Sequence, residues 1–154
     1  MALWQYNFFI LPLSSYDKFW RQEKLKVDKD SLFDDSVFWK NTGIRSDFFS
    51  EIEEILSRSK SWSKDLLIYG NVESNVFEIF IEADLVASVS FRIDLTSQYR
   101  HILDYLINFM ILKGLVIVGE DLESIPLNSE QIKAKMLTSS QFLKYKRLSK
   151  NEIE

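Results

Sequence analysis

The most promising polar side chains of the sequence lie on one predicted strand, residues 85–95. Arg92 and Asp94 alternate there with apolar residues, as do Ser88 and Ser90, and alternate residues of a strand point to the same face. A guanidinium on such a face could clamp a carboxylate or a phosphate with its planar fork of donors. The simpler interpretation is an exposed cross-strand ion pair, which would contribute only about 0–1 kcal/mol to stability.

His101 is the only histidine and the obvious candidate for a general base. Catalysis would require Asp94 or Asp104 to orient the imidazole, and a nucleophile such as Ser97 within hydrogen-bond distance. Nothing in the spacing fixes that geometry, so the simpler interpretation is an ordinary residue in the first turn of a helix. The chain also lacks a Walker loop and the GxGxxG, GxSxG and HExxH motifs. We therefore assign no catalytic residue.

Acidic residues gather in two places where a cation or a basic protein could bind. Glu120, Asp121 and Glu123 cluster late in the chain, and Asp34 and Asp35 end an earlier group whose basic neighbours neutralise much of its field. The late cluster lacks the alternating acids and central glycine of an EF-hand. We predict solvated loops or a protein-binding acidic edge, with no metal site and no cofactor.

Tryptophan is the residue type that most suggests a protein interface. Trp20, Trp39 and Trp62 lie in or beside segments predicted to be irregular. Aromatic side chains serve as interface anchors because they bury a large area with few rotatable bonds, but they also attach loops to a core, and both interpretations stay open. The predicted contact residues are Trp20, Trp39, Asp34, Asp35, Arg92 and Asp94.

Composition limits the class of protein. The 154 residues, 46% of them hydrophobic, suit a single domain spanning 1–154. With 19 basic and 23 acidic residues the net charge is −4, which disfavours binding to nucleic acid. The absence of cysteine fits a cytoplasmic protein. The apolar stretch 105–112 is far shorter than the ~20 residues that a membrane span requires, so we expect no membrane partner.

The strand that carries Arg92 shows the clearest period of two. Its odd positions from Leu85 to Leu95 are apolar, so we expect them to face the core, whereas the even positions should face solvent or a ligand. Only Asp84 separates this strand from the run before it, which predicts an antiparallel hairpin that turns at residues 82–85.

The remaining pattern predicts an α+β fold. Further strands are expected at residues 3–11, 65–69, 76–83 and 115–118, and helices are expected after Ser46, from Thr96 or Ser97 to Lys113, and from about Ser129. Residues 14–42 are predicted to be a long, partly irregular segment. A mainly antiparallel sheet of about five strands, with helices packed on one face in two layers, accommodates this order.

Several short segments resemble a group of small bacterial proteins of uncharacterised function. They are Ser61-Trp62-Ser63, Tyr69-Gly70, Phe91-Arg92-Ile93-Asp94-Leu95, the helix with Leu103 to Leu112, and Thr138-Ser139-Ser140-Gln141-Phe142-Leu143. The similarity extends over roughly residues 46–145. Some proteins of this kind are immunity proteins of contact-dependent or polymorphic toxin systems. The resemblance implies a cytosolic, non-catalytic protein that binds a toxin domain and blocks its active site or its folding-partner surface.

Two main hypotheses follow. The first is a protein-binding module, most simply a toxin-neutralising immunity protein, whose acids pair with a basic partner and speed association while aromatic anchors provide affinity. The alternative is a small-ligand-binding protein or an enzyme that uses the Arg92 and Asp94 face with His101, and it predicts a concave polar pocket. A subunit that self-associates through exposed aromatic residues is a third option.

Overall fold

An antiparallel sheet with helices around it forms the computed structural model, which describes residues 2–28 and 32–153. Within these residues the sheet has seven strands in the order β2-β3-β4-β5-β1-β6-β7. The strands are β1 (Gln5–Pro12), β2 (Arg58–Ser59), β3 (Leu66–Gly70), β4 (Val76–Glu82), β5 (Leu85–Asp94), β6 (Leu115–Val118) and β7 (Ser124–Ile125). The helices are α1 (Leu13–Asp28), α2 (Ser36–Trp39), a 3₁₀ helix (Ser46–Glu54), α3 (Arg100–Lys113), α4 (Ser129–Leu137) and α5 (Ser140–Ile153).

The predicted α+β class and the five predicted strands are confirmed. The two further strands, β2 and β7, have two residues each and are too short to show a period in the sequence. The β4–β5 hairpin turns at Ala83 and Asp84, whose φ angles are 51° and 66°. Two consecutive positive φ angles match the twist of the strands on either side.

One face of the sheet, here called the inner face, carries the main core. The cross-strand partners Phe8 and Phe91 stack with ring centroids 4.6 Å apart, and Phe77 continues the row. The 3₁₀ helix, α3 and α4 cover this row with apolar side chains such as Phe49 and Leu106. These helices form the predicted layer on one face.

A β-bulge shifts the period of two at the start of β5. The register changes between Phe80 and Ile81, so Val86 and Val89 both enter the inner core. Leu85, predicted to face inward, is instead 39% exposed. The prediction of inward odd positions is confirmed for Val89, Phe91 and Ile93, and it is wrong for Leu85 because the bulge reverses the alternation.

The prediction of a long, partly irregular segment at residues 14–42 did not include two helices that the structure shows there: Leu13–Asp28 forms α1 and Ser36–Trp39 forms α2. Residues 29–31 lie outside the described residues. Tyr16, Phe19 and Trp20 recur at three- and four-residue spacing and pack against Leu11 and Val118. Helix α1 therefore covers the second, outer face of the sheet, but only over β1 and β6.

Strand β1 exchanges one neighbour for another along its length. It pairs with β5 through residues 5–9 and with β6 through residues 9–12. Residues 35–44 fill the space where β1 leaves β5: the Trp39 indole N–H donates to the Ile10 carbonyl at 3.1 Å, and the Val86 N–H donates to the Ile44 carbonyl at 2.8 Å. The uncovered part of the outer face is therefore the region around Ser90 and Arg92.

Candidate functional site

The uncovered part of the outer face forms a groove of about 600 Å³. We call it the outer groove, and its lining residues are Asn7, Phe9, Glu78, Phe80, Ser90, Arg92 and Glu120. The register of β1, β4 and β5 places the strand residues of this set on one face, since Asn7 pairs with Arg92, and Ser90 pairs with both Phe9 and Glu78. The groove therefore has aromatic walls and a charged floor.

Arg92 lies on the outer face of the sheet, as the period of two predicted, and it lines the outer groove. Its Nη1 lies 2.8 Å from the Glu78 carboxylate, and the two side chains are only 20% and 14% exposed. Its Nη2 donates to the Val72 carbonyl at 3.4 Å. The Nε atom is buried and has no hydrogen-bond partner among the described residues. The pair is thus a partly buried one, unlike the solvated pair of the simpler interpretation.

Asp94 is not available for contact, and the expectation that it faces solvent on this row is wrong. The residue is 7% exposed. Its carboxylate accepts hydrogen bonds from the Ser74 hydroxyl at 2.8 Å and the Thr96 N–H at 2.8 Å, and its own N–H donates to Asn75 at 2.7 Å. Residues 71–75, which connect β3 to β4, thus fold over this end of β5, and Asp94 fastens them there.

The two candidate tryptophans attach helices to the sheet. Trp39 is 1% exposed within the inner core. Trp20 is partly buried and stacks on Tyr16 at 5.1 Å, in the aromatic cluster between α1 and the outer face. The interface interpretation is therefore wrong for Trp39. Trp62, by contrast, is 80% exposed.

Asp34 and Asp35 have local structural roles. The Asp34 carboxylate accepts the Ser36 N–H at 3.1 Å at the start of α2. The partly buried Asp35 carboxylate accepts the Ser88 hydroxyl at 2.6 Å and so fastens α2 to β5. Burial raises the pKa of Asp35, and the hydrogen bond from Ser88 partly opposes that rise. Of this pair only Asp34 is exposed.

His101 lies on the other layer of the molecule. It is exposed on α3, which packs on the inner face, and it lines a separate cleft of about 510 Å³ together with Ser97, Asp104 and Lys133. Arg92 points to the outer face, and the two clefts share no residue. The structure therefore does not bring Arg92, Asp94 and His101 together, and the combined site that the alternative hypothesis requires is absent from the described residues.

Glu120 is one of the groove residues that the sequence did not predict at this face, together with Asn7, Phe9, Glu78 and Phe80. Its carboxylate accepts the Asn7 N–H at 2.9 Å, and its own N–H donates to the Tyr6 hydroxyl at 3.1 Å. Asn7 lies before the part of β1 that pairs with β6. Its backbone N–H therefore has no partner in β6 and donates to the Glu120 carboxylate instead. Burial raises the pKa of Glu120.

The predicted acidic cluster is divided between two environments. Asp121 and Glu123 both pair with Lys135, with a distance of 3.1 Å for Glu123. Glu120 forms no ion pair among the described residues and lines both the outer groove and the adjoining cleft that contains Asp121 and Lys135. No local sequence pattern distinguishes Glu120 from its acidic neighbours. Its position at the groove follows from the register in which β1 pairs with β6. Among the described residues no three or more acidic or histidine side chains converge as metal ligands.

The described helices are too short or too polar to cross a bilayer. Comparisons of the chain with protein-family models, with curated proteins and with solved structures found no match.

Proposed function

We propose that this chain is a non-catalytic protein-binding module, a toxin-neutralising bacterial immunity protein that acts in the cytoplasm and contacts its partner through the outer groove. The observation that carries the proposal is the mixed lining of that groove, in which Phe9 and Phe80 stand beside the Arg92–Glu78 pair. Protein interfaces combine such an aromatic and arginine centre with a polar rim.

The rim of the groove offers apolar surface to a partner. Phe80 is 40% exposed, and Val72, whose carbonyl accepts from Arg92, is 48% exposed. The surrounding sheet is rigid, because β4 and β5 pair with neighbours on both sides. A preformed surface of this kind binds without a large loss of conformational entropy. The net charge of −4 would speed association with a basic toxin domain. Residues 46–145 resemble small bacterial proteins of uncharacterised function, some of which are immunity proteins, and this resemblance is the reason to propose neutralisation as the purpose of binding.

Capture with matched bait proteins tests the proposal. Ser90→Trp fills the groove, whereas Ser50→Trp adds the same bulk at an exposed position of the 3₁₀ helix on the opposite layer. We expect the wild type and Ser50→Trp to retain the same protein from the source cell and Ser90→Trp to lose it. Equal retention by all three baits would show that the groove is not the interface.

A growth assay then tests neutralisation. The captured protein, expressed alone in a bacterial host, should arrest growth, and co-expression of the wild type or Ser50→Trp should restore growth. Ser90→Trp should fail to restore it. A captured protein that is harmless when expressed alone would refute the immunity function while leaving protein binding intact.

A small-ligand-binding protein is the second candidate, and the size of the groove favours it. The volume of about 600 Å³ falls within the ~300–1,000 Å³ of typical small-molecule sites, and the buried Arg92 Nε lacks a partner among the described residues. Native mass spectrometry of the protein purified from its source distinguishes the two candidates. A bound small molecule on the wild type that is missing from Ser90→Trp would favour this candidate over protein binding.

A further inference from the structure

We propose that the outer groove receives a lysine or arginine side chain of the partner protein, whose cationic end pairs with Glu120 while its aliphatic stem lies between Phe9 and Phe80. This inference rests on the proposed function, since it specifies the chemistry that the partner presents to the same groove. It assigns a binding role to Glu120.

The outer groove contains more negative than positive charge. Two carboxylates, Glu78 and Glu120, face one guanidinium. Arg92 lies 2.8 Å from Glu78 and neutralises it. Glu120 has no ion-pair partner among the described residues, and the nearby Lys135 is already engaged by Asp121 and Glu123. One unpaired negative charge therefore remains in the groove.

The groups around Glu120 compensate its negative charge only in part. The hydrogen bond that its carboxylate accepts from the Asn7 N–H and the nearby side-chain amide of Gln141, which donates to the Gln5 carbonyl, both favour the charged form. Burial and the neighbouring negative charge of Asp121 oppose them, and the pKa of Glu120 is raised. A carboxylate that has lost water without gaining a cation is stabilised strongly when a cation arrives.

The walls of the groove suit the stem of a basic side chain. Phe9 is held on one side by an edge-to-face contact with Phe33 at 5.0 Å, and Phe80 stands 40% exposed on the same face of the sheet. Lysine and arginine place their methylene groups along apolar surfaces and their cations over aromatic rings. An anion, in contrast, would have to displace Glu78 from Arg92 and would be repelled by Glu120.

Titration with a lysine surrogate tests the inference without the partner. The isotope-labelled protein is followed by NMR while n-butylammonium is added, with acetate as the anionic comparison. We expect n-butylammonium to shift the amide signals of Asn7, Glu78, Ser90 and Glu120 with a dissociation constant on the order of 10 mM, as befits so small a ligand. No shift in the groove, or a groove response to acetate instead, would overturn the inference.

The carboxylate itself provides a readout that needs no substitution. Because a neighbouring cation favours the charged form, saturating n-butylammonium should lower the pKa of Glu120 as followed by its carboxyl ¹³C signal. The exposed Glu53 on the 3₁₀ helix serves as the internal comparison. A pKa of Glu120 that does not move relative to that of Glu53 would refute the pairing.

Matched variants complete the test. Glu120→Gln removes the charge and keeps an oxygen that can accept the Asn7 N–H, whereas Glu53→Gln removes the same charge on the opposite layer. We expect Glu120→Gln to bind n-butylammonium and the captured partner at least 10-fold more weakly, and Glu53→Gln to match the wild type. If Glu120→Gln does not fold, the wild-type pKa measurement decides.

The outcomes separate this inference from the proposed function. Groove-dependent capture of a toxin with no n-butylammonium response would refute the cationic side chain and leave the immunity function standing. An n-butylammonium response without any captured protein would refute the proposed function.

Discussion

The Arg92 guanidinium and the Glu78 carboxylate lie 2.8 Å apart on the floor of the outer groove. Ser90 is the direct cross-strand neighbour of Glu78, so the ion pair runs diagonally from β4 to β5. Diagonal neighbours in a sheet are within reach of long side chains. With both side chains largely buried, removal of either partner leaves the other charge without compensation.

A double-mutant cycle measures this dependence. Arg92→Met and Glu78→Met should each lower the free energy of unfolding by about 1–3 kcal/mol, because each leaves a partly buried charge unpaired. The double variant should lose less than the sum, by about 1 kcal/mol. Urea denaturation followed by circular dichroism gives the three values. Strictly additive losses would show that the two side chains do not stabilise each other.

Trp39 is expected to matter for stability and not for recognition. Its indole N–H donates to the Ile10 carbonyl at 3.1 Å inside the core, so Trp39→Phe should lower the free energy of unfolding by about 2 kcal/mol through lost packing and an unsatisfied carbonyl. Trp62→Phe, at a side chain that is 80% exposed, should change it by less than about 0.5 kcal/mol. Denaturation of the two variants under the same conditions checks the contrast.

The strands could be predicted from the sequence because their signal is local. Val76–Glu82 and Leu85–Asp94 show apolar residues at the spacing that a half-buried strand requires. Helix α1 was missed although Tyr16, Phe19 and Trp20 recur at helical spacing, because many alternating charges surround that stripe. The bulge at Phe80 was also hidden, since it depends on how β4 pairs with β5.

The candidate site was only partly predictable for the same reason. Arg92 could be placed on an outward face from the period of β5 alone. Asp94 shares that period, yet residues 71–75 cover it. No pattern within β5 predicts that a loop from elsewhere in the chain packs on this residue. Glu120 reaches the groove through a hydrogen bond to Asn7, 113 positions away. Contacts of that range follow from strand order, which the sequence did not provide.

Asp35 should make the stability of the protein depend on pH. Burial raises its folded-state pKa above the ordinary value of 3.8, so folding favours the protonated form. Stability therefore falls as the pH rises from about 4 through the folded-state pKa. Asp35→Asn cannot ionise at this position, so it does not lose this stability. Its free energy of unfolding should therefore increase relative to that of the wild type as the pH rises over that range.

Paired denaturation series at about pH 3 and pH 7 check this prediction. The exposed Asp104→Asn variant corrects for the removal of one negative charge. After this correction, the free energies of unfolding of Asp35→Asn and the wild type should differ by different amounts at the two pH values. The same difference at both pH values would contradict the raised pKa of Asp35.

Gly70 determines whether residues 71–75 can close over β5. Its φ angle is +95°, and a Cβ atom there would collide with the backbone carbonyl oxygen of Asn75. Gly43 has a similar φ of +70°, but a Cβ atom would meet open space. The comparison therefore separates backbone strain, which both positions share, from a collision that only Gly70 suffers.

Gly70→Ala should lower the free energy of unfolding by about 3 kcal/mol or more, whereas Gly43→Ala should lower it by about 1 kcal/mol. The loop that Gly70→Ala displaces carries Ser74 and Asn75, which bond to Asp94. NMR spectra of Gly70→Ala should therefore show changed amide signals at Asp94 and at Arg92, whose guanidinium reaches the Val72 carbonyl of the same loop. Equal losses for the two variants, with the Asp94 signal unmoved, would mean that the loop does not depend on the close approach at Gly70.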